Sequence, residues 1–239
     1  MRFGPGKMAA GVAVALTAAT ALAPSAYAAS GTPTTSSSST ATLAAIKAKA
    51  AAAISLRESV LSAAITKVTD NKYLSSGDRA TVLATLNSDA SGLNALAPVI
   101  QADTTVSQAR ADYQAIFTHY RVFALALPQA WFAASADDLT GTVLPHLTDA
   151  QSKLQALLAG PDKSKDTPAV QADMADLANR ISGISSLTNG VAATVLTFTP
   201  SQYDANPAIL APFRADLVTA RADARAARTD IAAVVAALK

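Results

Sequence analysis

The side chains able to do chemistry are few, and most of them gather in one stretch. Residues 113–132 hold Tyr113, Phe117, His119, Tyr120, Arg121, Phe123, Trp131 and Phe132. Aromatic faces beside an imidazole and a guanidinium can stack on, and hydrogen-bond to, a ring, a sugar or a peptide. That makes His119, Tyr120, Arg121 and Trp131 the candidate ligand-binding residues. A plainer reading competes with this one. Tyr113, Ile116, Tyr120 and Phe123 recur at spacings of three and four, which is the core stripe of an amphipathic helix. An aromatic plug would fill the space opened by a bend at Pro128, where Ala is too small. The stripe spacing favours the plug.

Other constellations are weaker. His146 and Asp149 are three apart and share a helix face, with Asp137 and Asp138 about two turns earlier. A His with carboxylates suits a divalent metal. With two His and no Cys in the chain, a solvated helix face accounts for these residues as well, and no metal site is assigned. The many Ser and Thr lie in no G-x-S-x-G or S-x-x-K context. There is no phosphate loop of the G-x-x-x-x-G-K type. Residues 162–166 (DKSKD) lack the Gly and closing Glu of a calcium loop. Near the C-terminus, Arg214, Arg221, Arg225 and Arg228 alternate with Asp216, Asp223 and Asp230, which reads as a solvated helix face. The sequence therefore assigns no catalytic residue, no metal and no cofactor, and the expected protein is not an enzyme.

What must position these side chains is helix. Ala, the strongest helix former, dominates the composition, and apolar residues recur at alternating spacings of three and four. The stripes run Leu83, Leu86, Ala90, Leu93, Ala97, Ile100; then Val106 to Leu127 through the aromatic stretch; then Val170, Met174, Leu177, Ile181, Ile184 and onward to Phe198; then Leu210, Phe213, Leu217 and onward to Leu238. This spacing suits left-handed bundle packing. Breaks fall at residues 71–78, with Ser75 or Ser76 as N-cap, at Asp103-Thr104-Thr105, at Pro128, and at residues 160–168 and 199–207. Pro98, Gly141 and Pro145 interrupt otherwise helical patterns. The reading is six segments, roughly 41–71, 76–101, 104–127, 129–159, 168–198 and 207–238. The fold class is all-α, a long-helix bundle. It is either two three-helix bundles, 41–127 and 128–239, joined by a kinked helix, or one six-helix antiparallel bundle. The elongated form is slightly favoured.

The N-terminus has the three parts of a secretory signal. Arg2 and Lys7 precede an uncharged apolar run at residues 8–23, Pro24 breaks it, and Ala26-Tyr27-Ala28 is a small-x-small cleavage site. The run is shorter than the roughly 20 apolar residues of a membrane span, so residues 1–28 read as a cleaved signal peptide. Without Cys there is no lipid attachment point and no disulfide. Residues 29–40 are rich in Ser and Thr and read as a disordered tether. The chain has 19 Lys+Arg and 17 Asp+Glu; loss of Arg2 and Lys7 leaves the mature protein neutral. Neutrality argues against nucleic acid as partner and weakens an electrostatic membrane reading, although membrane association stays open.

Residues 112–129 (DYQAIFTHYRVFALALPQ), with Asp103-Thr104 before them and residues 196–207 (LTFTPSQYDANP) after them, resemble a group of secreted actinobacterial helical proteins. The shared elements are a Tyr-Arg-Val-aromatic run reaching a Pro, and a Thr-Pro loop ending in Asn-Pro. The resemblance implies export and a helical fold, and assigns no residue a role.

These observations lead to an expectation of a secreted, non-enzymatic helical-bundle protein. It would act through its surface as a structural element or interaction module of the cell envelope, with an envelope protein or polymer as partner. The alternative is an extracytoplasmic carrier or holdase whose amphipathic helices bind lipid or unfolded chains. The protein recovered outside the cytosol is therefore expected to begin at Ala29. Mass spectrometry of culture supernatant and envelope fractions checks this, and an intact Met1 in the cytosol would refute it.

Overall fold

The structure is a computed structural model that describes residues 35–239. The expected signal peptide at 1–28 and the first part of the expected tether lie outside the described residues. Among the described residues every regular element is helical and there is no strand. In chain order the α-helices are α1 (Thr35–Thr69), α2 (Ser76–Ala102), α3 (Val106–Thr118), α4 (Leu127–Asp138), α5 (Leu144–Ala159), α6 (Pro168–Thr188), α7 (Val191–Val195), α8 (Pro200–Ala205) and α9 (Ala211–Ala237). Helix α1 starts inside the segment expected to be a tether. Residues 35–40 are helical, and Thr42 Oγ1 donates to the Ser38 carbonyl one turn back at 2.7 Å. A Ser/Thr run can therefore continue a helix that downstream Ala residues propagate.

The caps explain where the helices begin. Ser75 Oγ accepts the Asp78 N–H at 3.1 Å, Thr105 Oγ1 accepts that of Gln108 at 3.2 Å, and Thr167 Oγ1 accepts that of Val170 at 3.4 Å. Each satisfies one of the amides that a helix start leaves unpaired. Thr199 and Gln202 form a reciprocal capping box on α8. The stretch 199–207, expected as plain loop, thus contains a short helix.

Burial follows the apolar stripes. Fully covered side chains recur every seven residues: Ile54, Leu61 and Val68 on α1; Leu86, Leu93 and Ile100 on α2; Val170, Leu177 and Ile184 on α6; Ala220, Ala227 and Val234 on α9. Ile231, on the same stripe that runs to Leu238, is only half-buried and packs against the edge of the core. Helices α6 and α9 run antiparallel, with Lys165 Nζ at the start of α6 donating to the Leu238 carbonyl at the end of α9. Buried Ala220, Ala224 and Ala227 let the two backbones approach closely.

The centre of the molecule differs from expectation. The sequence left Pro128 either to end or to kink a helix; the helix ends at residues 119–121 instead, and the chain is helical past Pro128. A single helical path runs from Val122 through α4 and α5 to Ala159, past both Pro128 and Pro145. Two five-residue π-helical turns make this possible, Val122–Ala126 and Leu139–Val143. Each ends one residue before a Leu-Pro pair. Leu127 N–H bonds to the Val122 carbonyl, and Leu144 N–H to that of Leu139, each spanning five residues. Widening the helix there removes the clash between a proline ring and the carbonyl four residues earlier. The boundary expected between residues 127 and 128 falls inside this helix. Residues Ser36–Lys239 form one compact unit.

The expected segment 168–198 also divides. Helix α6 ends at Thr188, and Gly190 takes a left-handed conformation at φ 70° before α7 begins. Asn189-Gly190 is a turn signal that the stripe spacing overran.

Helix α4 is the most enclosed element. It packs against α2, α7 and α9, and Gln129, Ala130, Phe132, Ala133, Ser135 and Ala136 are all buried. Gln129 Nε2 donates to the carbonyls of Val195 at 2.7 Å and Phe198 at 2.8 Å. One buried amide thus satisfies the end of α7. Replacing Gln129 with Leu would leave these acceptors unpaired in the core, so we expect a loss of about 1–3 kcal/mol. Leu93→Ala or Leu217→Ala should cost about 2–5 kcal/mol. Urea unfolding of the three variants checks both statements, and unchanged midpoints would contradict the packing described.

Candidate functional site

The aromatic stretch is divided among several helices. His119 and Tyr120 form the turn that ends α3, with ring centroids 6.5 Å apart. His119 is exposed; Tyr120 is half-buried. The Tyr120 ring lies directly on α2 at Gly92, where an added Cβ would sit 2.9 Å from Tyr120 Cζ. Only a residue without a side chain admits the ring there.

Arg121 completes the turn in a left-handed conformation, φ 44° and ψ 35°. For an Arg this backbone costs on the order of 1–2 kcal/mol. Its carbonyl accepts the Leu125 N–H at 2.7 Å and starts the central helix. Its guanidinium pairs with Asp204 of α8 and lies 5.7 Å from the Tyr203 ring centre. The contact with α8 therefore holds the turn from the side.

Trp131 belongs to a different neighbourhood. It lies about 15 Å along the central helix from Arg121 at 1.5 Å per residue. Its ring meets Phe132 edge-on at 5.0 Å, while Phe132 itself is buried. The Arg221 guanidinium of α9 covers Trp131 at 5.1 Å and donates to Ser135 Oγ at 2.8 Å. Trp131 remains 38 % exposed. Of the four candidates, the fold brings His119 and Tyr120 together. It sends Arg121 to α8 and Trp131 to α9.

Residues that sequence reading passed over matter as much. Arg57 is buried on α1, its guanidinium 4.3 Å from the Phe117 ring centre and 5.3 Å from that of Phe123. Its Nη1 donates to the Ala53 carbonyl at 3.0 Å. Burial lowers its pKa, opposed in part by Tyr113. The signal was present, since Arg57 stands at a core position of the α1 stripe between Ile54 and Leu61. Asp89 is the second case. Its Oδ2 is buried without a hydrogen-bond partner, and burial pushes its pKa up to about 6. Burial also raises the Tyr120 phenol, with the Asp89 charge adding to the effect.

The carboxylates considered for metal binding separate. Asp149 pairs with Lys153 at 2.7 Å, and His146 points to solvent. Asp137 accepts the Ser75 N–H at 2.7 Å at the start of α2. Burial raises its pKa, the Ser75 bond opposes the rise, and the nearby Asp78 adds to it. Burial likewise raises Asp138, countered by Arg221 and Arg228. Among the described residues no group of three or more His, Cys, Asp or Glu side chains could hold a metal ion. An open groove of about 530 Å³ lies between α5 and α6, lined by Thr140, Leu144, Pro145, Thr148, Ile181 and Ser185 among others.

No protein-family model, curated protein or solved structure matches the chain.

Asp89 gives a pH prediction. Its folded pKa of about 6 lies above the ordinary value of 3.8. The folded state therefore binds the proton more tightly, and the stability this confers is full below about pH 4 and lost as pH rises through about 6. Asp89→Asn should raise stability at pH 7 by on the order of 1 kcal/mol, allowing for solvent screening at a partly open site. The advantage should vanish near pH 4. Thermal unfolding at both pH values checks it, and an equal loss at both would count against the unpaired carboxylate.

Proposed function

We propose that this protein is an exported, non-enzymatic helical bundle that acts in the cell envelope through its surface. The observation that carries the reading is where the reactive side chains go. Arg121 is engaged with Asp204 and Tyr203, Arg221 with Trp131 and Ser135, and Arg57 with Phe117 and Phe123. Each holds one helix to another, and none converges with a second polar group on a shared cleft. The 530 Å³ groove is open, and the Thr140 hydroxyl at its edge is already bonded to the Ala136 carbonyl at 2.9 Å. A shallow concavity with internally satisfied polar groups suits surface recognition better than conversion of a substrate. The signal-like N-terminus and the resemblance to secreted actinobacterial helical proteins support an extracytoplasmic location. No helix among the described residues is long and apolar enough to cross a membrane.

The reading includes an architecture. Helices α1, α2 and α3 form one group, and α5, α6 and α9 another, with α4 between them. Contacts of α2 with α3, of α5 with α6 and α9, and of α4 with α2 and α9 support that arrangement. One observation favours the carrier or holdase as a second reading. The turn at Arg121 holds a non-glycine residue in the left-handed region at φ 44°, a strain that straightening would release.

The test is a pull-down with the mature protein on envelope fractions of the producing cell, with protein, lipid and polysaccharide analysed together. A polymer or protein retained by the folded bait, and lost when the bait is unfolded, is the expected result. Preferential capture of lipid or unfolded chains would favour the carrier. Residence of the protein in the cytosol would end the envelope reading.

A further inference from the structure

The charges of α9 look mixed in sequence, yet the helix sorts them. At about 100° per residue, Arg214, Arg221, Arg225 and Arg228 lie within about 60° of one another on the helix wheel. Asp216, Asp223 and Asp230 fall on the opposite side. Packing fixes what each side meets. The aspartate side faces α6, where Arg180 Nε donates to Asp230 Oδ2 at 2.7 Å and Arg180 Nη1 stands 3.7 Å from Asp223 Oδ1. The arginine side borders α4. There Arg221 covers Trp131, and Asp138 is the acid that feels Arg221 and Arg228. Arg214, Arg225 and Arg228 are exposed, and among the described residues none of them has a carboxylate within ion-pairing distance. A chain that is neutral after loss of its signal thus carries a one-signed line of guanidiniums about 20 Å long, at 1.5 Å rise per residue.

We propose that this flank of α9, with the open part of Trp131, binds an acidic polysaccharide. Guanidiniums repeated along one line suit a linear polymer with repeated carboxylates, because each can take a carboxylate in a forked pair. The part of the indole that Arg221 and Phe132 leave open offers an apolar surface against which a sugar ring can pack. The choice among polyanions rests on the envelope reading above. Two observations support it further. The neutral overall charge is unlike that of nucleic-acid binders. Val218 is the large apolar residue exposed on α9, which is too little to seat the helix in a bilayer.

The test uses the full mature chain and polygalacturonate as probe, with binding followed through Trp131 fluorescence. We expect saturable binding at about 25 mM salt that weakens as screening increases. The variant R214Q/R225Q/R228Q, which spares the packed Arg221, should bind at least about tenfold more weakly while keeping its circular dichroism. The variant K49Q/K67Q/K72Q makes the same charge change on α1 and the turn after it, and should stay within about threefold of wild type. Absence of saturable binding overturns the proposal, as does an equal loss in both variants. Tighter binding to polyadenylate or to phosphatidylglycerol vesicles would reassign the flank to nucleic acid or membrane. An envelope-resident protein that ignores polygalacturonate defeats this proposal alone, whereas a cytosolic protein defeats the envelope reading whatever the polymer result.

Discussion

A proline inside a helix removes one N–H and drives its ring toward the carbonyl four residues earlier. The rest of this structure depends on how that constraint is met. The central helix passes Pro128 and Pro145 because a π-turn stands immediately before each Leu-Pro pair. The inserted residue relieves the clash and also rotates the helix face that follows. With the path preserved, α4 can sit in the middle of the molecule. Its small residues Ala130, Ala133, Ser135 and Ala136 let neighbours approach, and Phe132 fills what remains. A helix broken at Pro128 would remove the surface on which α2, α7 and α9 meet.

Polar groups on and around α4 are used to join helices. Gln129 closes α7, Ser135 receives Arg221 from α9, and Asp137 receives the first amide before α2. Each of these bonds spans at least 62 residues in sequence. In a chain with no disulfide and an Ala-rich core, such bonds add specificity to packing that is mostly small-residue contact. The unpaired Asp89 and the left-handed Arg121 are exceptions, and both stand beside Tyr120, in the turn that ends α3.

The break at 119–121 shows tertiary structure overriding local preference. Residues 118–123 contain no Gly, Pro or Asn, and their apolar spacing continues the α3 stripe without interruption. Local physics would run the helix straight through. It stops because Tyr120 fits the notch at Gly92, and because Arg121 is held by Asp204 from a segment more than eighty residues away. Neither cause is visible in a window of ten residues. At Asn189-Gly190 the local signal for a turn was present and the stripe reading overran it.

The sequence by itself determined the helical class, narrowed the caps to Ser75 or Ser76 and to residues 103–105, and marked most of the buried stripe, because these depend on interactions within a few residues. Its α1 stripe also held a signal that was not read, Arg57 between Ile54 and Leu61. Tertiary structure alone decided the course of the chain through Pro128, the dispersal of His119, Tyr120, Arg121 and Trp131 among α2, α8 and α9, and which neighbours the two charged flanks of α9 meet. Whether a proline kinks or ends a helix, and which neighbour a surface arginine meets, are settled by contacts between residues distant in sequence, which composition and periodicity do not encode.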